Sequence, residues 1–135
     1  MASATPTSNN NRLVKITLFI KKKDSISHEE FHRYWSEEHS KIFLSLPISR
    51  RNLVKYSQYH SDTSIDLTRF GFNNMLGYDG VASLWANSFE ELLAIFTSED
   101  FRKTLLPDED RFINRAELVS MVGWDEDKWD NGKTL

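Results

Sequence analysis

The sequence predicts an α+β fold in which a strand–helix–strand unit is used twice. Three observations predict it. Two Ser-x-x-Glu boxes, at Ser27–Glu30 and Ser88–Glu91, each open an amphipathic helix. Each helix lies between β-branched or aromatic runs of strand length. At 135 residues, 39% hydrophobic and 13% aromatic, the chain has the size of one domain with a continuous core.

The chain begins with a Ser/Thr/Asn-rich stretch, residues 1–11, read as a disordered tail. Leu13–Ile20 follows as the first strand. Its alternation puts Val14, Ile16, Leu18 and Ile20 on an apolar side and Lys15, Thr17 and Phe19 on a mixed one. Ser27–Phe43 is the organising helix. At ~100° per residue, Phe31, Trp35 and Ile42 share an apolar face, and His28, His32 and His39 run along its edge. Pro47 closes that region. Leu53–His60 is the second strand, with Tyr56 and His60 on one side and Tyr59 on the other; nothing in the sequence chooses between the sides.

Ser61 to Tyr78 is a long connection, and its aromatics argue for a folded flap that could act as a lid. Asp79–Ala86 is the third strand. The second helix starts at Ser88, and a third is expected from Glu99 to Leu105, stopped before Pro107. A fourth strand lies within Phe112–Val122, and residues 125–135 form an arm.

Strand, helix, strand, strand, helix, strand is the split βαβ pattern: a ferredoxin-like α+β domain over residues 12–124 with a four-stranded antiparallel sheet. Helices cover one sheet face. The other is expected to carry Phe19, Trp85, Leu118 and one of Tyr56 and Tyr59. It is too apolar for water. Two such faces pressed together would give a homodimeric α+β barrel with a semi-polar interior.

Composition excludes several classes. The formal charge is −3, and no basic block exceeds Lys21–Lys23, so nucleic acid is not expected as a partner. There are no cysteines, hence no disulfide or thiolate chemistry. No secretory signal and no apolar run long enough for a membrane span are evident, so a cytoplasmic protein is the default. The five glycines are scattered, with no phosphate loop. His28-Glu29-Glu30-Phe31-His32 matches the zinc pattern H-E-x-x-H formally, but Glu29 points outward and no third ligand is evident, so no metal is expected.

Ser27-x-x-Glu30-Phe31-x-x-Tyr34-Trp35-x-x-Glu38-His39, followed by a tyrosine-bearing strand ending at His60, resembles the EthD-like group of the dimeric α+β-barrel superfamily. The resemblance implies a homodimer joined through its sheets and a cavity lined by His39. It further implies cofactor-independent lyase activity on phenolic, multi-ring polyketide intermediates. Dehydration of a β-hydroxy ketone is the leading expectation. Decarboxylation of a β-keto acid, anthrone oxygenation without a cofactor and noncatalytic binding of a phenol are the alternatives.

His39 is the first catalytic candidate, because imidazole can act as acid or base at neutral pH. Tyr56, His60 and Lys15 are the next, as donors to a developing enolate oxygen. Thr17, Phe19, Trp35, Tyr59 and Trp85 are expected to line the cavity. Asp108-Glu109-Asp110 is expected to face solvent.

Overall fold

The computed structural model describes residues 12–135; the expected tail, residues 1–11, lies outside the described residues. Four strands, β1 (Val14–Ile20), β2 (Lys55–His60), β3 (Gly80–Ala86) and β4 (Val119–Gly123), form one antiparallel sheet in the order β2-β3-β1-β4. This is the ferredoxin-like α+β arrangement that the element order predicts. Registers such as Thr17 opposite Ser83 and Met121 fix which side chains share a face.

Among the described residues, the helices pack on one side of the sheet only. Val14, Ile20, Ala82, Leu84 and Ala86 are buried beneath them, against Phe31, Trp35, Phe43, Leu92, Ile95, Leu105 and Phe112. Each large side chain so buried contributes ~2–3 kcal/mol. Trp35 packs so tightly on β3 that a Cβ on Gly80 would overlap its ring.

The organising helix is α1 (His28–Tyr34), a π-helical turn (Trp35–His39) and α2 (Ser40–Ser45) in unbroken succession. Ser27 caps it as expected, its Oγ accepting from the Glu30 N–H at 3.0 Å. The Glu30 carboxylate does not reach back; it binds Arg33. The π turn matters for aim. In a regular helix, residues four apart drift ~40° per step. The wider turn cancels part of that drift, so Phe31, Trp35, His39 and Phe43 all point into the core. Phe43 takes the place expected for Ile42, which is half-buried. Pro47 ends α2 as expected and also opens a further short helix, α3 (Pro47–Asn52), at the first-turn position proline favours.

After α4 (Phe89–Phe96), the chain turns helical again at Glu99, with the Ser98 Oγ accepting from the Phe101 N–H. This helix does not stop before Pro107. A second π-helical turn (Phe101–Leu105) leads into α5 (Leu106–Glu109). There the Leu106 N–H bonds to the Phe101 carbonyl five residues back. The widened turn leaves room for a proline ring that would otherwise press on a carbonyl four residues earlier. The extra turn carries Asp108 and Glu109 inward.

The 61–78 connection contains one 3-10 turn (Leu67–Phe70) and leaves Phe70, Phe72 and Leu76 exposed. A hollow of about 460 Å³ lies between it and the end of the sheet, lined by Tyr59, His60, Tyr78 and Gly80 among others. Residues 125–135 hold a small hairpin, β5 (Trp129–Asp130) and β6 (Lys133–Thr134), turned by Asn131-Gly132 at positive φ.

Candidate active site

His39 is the best-defined chemical group in the helix layer. It is 5% exposed, and its Nδ1 lies 2.7 Å from Asp108 Oδ2. The Tyr34 hydroxyl donates to Asp108 Oδ1. The Phe112 ring packs against both the imidazole and Tyr34. Two elements distant in sequence, the π turn and α5, thus meet in one dyad. Burial lowers the His39 pKa, and Asp108 opposes that shift without cancelling it. The ring is therefore neutral at pH 7. With Nδ1–H donated to Asp108, Nε2 is left as a free base.

That imidazole borders an interior hollow of about 30 Å³, lined by Leu18, Trp35, Tyr56, Leu84, Phe101, Glu109 and Leu118 among others. Burial pushes the Tyr56 phenol up to about 12, so it stays protonated and can donate. Burial likewise pushes Glu109 up to about 7, against the opposing Arg115 guanidinium at 3.3 Å. Base, phenol and carboxylic acid thus border one apolar space.

The structure divides the sequence candidates between two sheet faces. Tyr56, His60 and Trp35 lie on the His39 side. Lys15, Thr17, Phe19, Tyr59 and Trp85 lie on the opposite face, because strand periodicity turns alternate residues away from the helices. One cavity shared by His39 and Lys15 is therefore corrected: the sheet stands between them. Lys15 is also engaged, its Nζ lying 3.1 Å from Asp125 Oδ1 and over the Trp85 ring. Asp125 accepts in turn from Trp85 Nε1 at 2.8 Å. Leu118, expected on the outer face, turns into the interior hollow.

The acidic run is the main revision. Asp110 faces solvent, but Asp108 and Glu109 are buried. Continuous helix beyond Pro107 would have been the signal, and the proline masked it. His28 and His32, the two histidines of the H-E-x-x-H pattern, bond to one another, Nε2 to Nε2 at 2.9 Å. Among the described residues, no helix is long and apolar enough to cross a membrane.

A ferredoxin-like sheet with helices over one face sets the fold class. The chain belongs to the EthD family: the EthD domain model matches residues 23–116. It is 22% identical to the dehydratase CTB10 of Cercospora beticola, over 87% of this chain and 92% of that protein. It is 23% identical to the dehydratase aurZ of Gibberella zeae, over 98% and 90%. Its fold matches a dimeric protein of unknown function with a ferredoxin-like fold from Bacteroides fragilis, at TM-score 0.57 and 10% identity, over 84% of this chain and 96% of that one.

Proposed function

We propose that this protein is a cofactor-independent dehydratase acting on a β-hydroxy ketone of an aromatic polyketide, with His39 as its base. The observation that carries the reading is the buried His39–Asp108 dyad facing a hollow that Tyr56 and Glu109 also border. His39 Nε2 takes the proton α to the ketone, and the Tyr56 hydroxyl holds the enolate oxygen. The C–O bond to the β-hydroxyl then breaks as protonated Glu109 gives up its proton, and water leaves. One proton has gone to His39 and one has left Glu109, so the site is restored by a single proton transfer between them. Aromatisation of the ring supplies the driving force, and the dyad supplies orientation.

Size sets a condition. The 30 Å³ hollow holds about one water, whereas ligand sites run to roughly 300–1,000 Å³. Trp35 is the wall it shares with the 460 Å³ hollow. The indole borders the inner space, stacks on His60 at 4.8 Å and touches Gly80, and both of those line the outer one. On this reading substrate binding requires Trp35 to move aside, which would join the two into a ligand-sized site.

The homodimer belongs to the same reading. The outer sheet face exposes Tyr59, Val119 and Met121, and a second copy covers it. The relative from Bacteroides fragilis is itself described as dimeric.

The test is incubation with hydroxylated multi-ring ketones and β-keto acids under argon. Loss of the mass of water supports the proposal. Loss of carbon dioxide would make the protein a decarboxylase using the same enolate stabilisation, and unchanged ligand would make it a binding protein.

A further inference from the structure

The structure holds a second polar system that the His39 dyad does not use. Asp79 Oδ1 lies 3.6 Å from His28 Nδ1, and His28 Nε2 lies 2.9 Å from His32 Nε2. His32 Nδ1 lies 2.5 Å from His60 Nδ1, and His60 Nε2 lies 3.1 Å from Gln58 Oε1. Gln58 Nε2 then lies 2.9 Å from the Trp35 carbonyl and 2.9 Å from the Tyr56 hydroxyl. The line runs from the first turn of α1, beside the outer hollow, to the phenol at the inner one.

Its protons can be assigned from one end. A carbonyl only accepts, so the Gln58 nitrogen faces Trp35 and its oxygen faces His60. His60 must then carry its proton on Nε2, which leaves Nδ1 as an acceptor. His32 therefore donates from Nδ1 and accepts at Nε2, and His28 donates from Nε2. Every donor points the same way, toward Tyr56. The phenol oxygen receives the last of them, so its own proton is free to point into the inner hollow. At the other end the Asp79 carboxylate lies near His28 Nδ1 but beyond hydrogen-bond distance. Asp79 is itself fixed by the Lys22 backbone N–H at 2.8 Å. Chains with all donors aligned polarise one another, which strengthens the terminal donor.

We infer that His28, His32, His60 and Gln58 are positioning residues: a one-way hydrogen-bond chain, starting at His28, that aims and polarises the Tyr56 hydroxyl toward the oxygen of a bound enol or ketone. The inference rests on the reading in which Tyr56 meets that oxygen. Burial and the neighbouring His28 hold His32 and His60 below the usual imidazole range, which keeps both neutral as the chain requires. The acids near this line are Asp79 and Asp62, and Asp62 also feels His28.

The experiment is nitrogen-15 NMR of the histidine side chains, with carbon-13 at tyrosine Cζ, on the full chain without substrate. His32 is expected as the Nδ1–H tautomer, the minor form of free imidazole in water, and His60 as Nε2–H. Gln58→Leu is expected to return His32 to a tautomer mixture and to shift the Tyr56 Cζ resonance. Where Gln58→Leu does not fold, His28→Gln at the helix start serves instead and should raise the pKa values of His32 and His60. An Nε2–H tautomer at His32, a Tyr56 resonance unmoved by Gln58→Leu, or His32 and His60 unmoved by His28→Gln would each overturn the chain. None of these readouts needs turnover, so a protein that fails to dehydrate any ketone would defeat the dehydratase reading alone.

Discussion

At the scale of single residues, His39 and Asp108 teach opposite lessons. His39 stood out in the sequence mainly through the family motif, since a histidine near a helix end has an ordinary packing explanation as well. Asp108 did not, because three acids in a row usually mark a solvated turn. Only the tertiary meeting of α5 with the π turn makes it a partner. Asp108→Asn should keep the fold and lower kcat by about 10²–10⁴, since an amide no longer enforces the Nδ1–H tautomer. Steady-state kinetics on a turned-over ketone checks this. The pH–rate profile should be bell-shaped, with an acid limb below the ordinary His39 value of 6.5 and an alkaline limb near the Glu109 value of about 7. Glu109 also leaves a mark on stability. Below pH 4.5 both folded and unfolded chains hold its proton, while between 4.5 and about 7 only the folded chain does. Folding therefore loses stability as pH rises through that window, by on the order of 3 kcal/mol. Glu109→Gln removes this dependence, so its Tm should gain on wild type between pH 5 and pH 8.

At the scale of elements, the strands and capped helix starts could be read because their signals are local: period-two alternation in β1, and Ser27 and Ser88 before their helices. One helix end could not, although Pro47 closes α2 as read. Pro107 reads as a stop, and only a π-helical turn, which leaves no sequence pattern of its own, lets the helix pass. The second strand carried a two-way ambiguity that sequence could not resolve; pairing with β3 put Tyr56 and His60 inward and Tyr59 outward. The contact of α1 with β3 gives a direct test. Gly80→Ala places a methyl against the Trp35 ring as it is packed in the ligand-free protein, and should cost about 1–3 kcal/mol in denaturant unfolding. Ser27→Ala, which removes one cap, should cost about 1 kcal/mol by the same measurement.

At the scale of the whole molecule, the ferredoxin-like plan followed from element order, but the location of the chemistry did not. Sequence periodicity shows that a sheet has two faces; it does not show which face meets the reactive histidine. On the proposed reading the two jobs separate, with acid–base groups under the helices and the apolar outer face assigned to a second copy. Met121→Glu on that outer face should convert the proposed dimer to a monomer in sedimentation, because it places a charge on the apolar surface that the second copy would bury. The central claim is that the imidazole of His39 moves the proton. Turnover of a hydroxylated multi-ring ketone by wild type and by folded His39→Ala, followed by mass spectrometry, tests it most directly. The account predicts a product lighter by one water from the wild type and only the uncatalysed background from the variant; equal rates from both would contradict it.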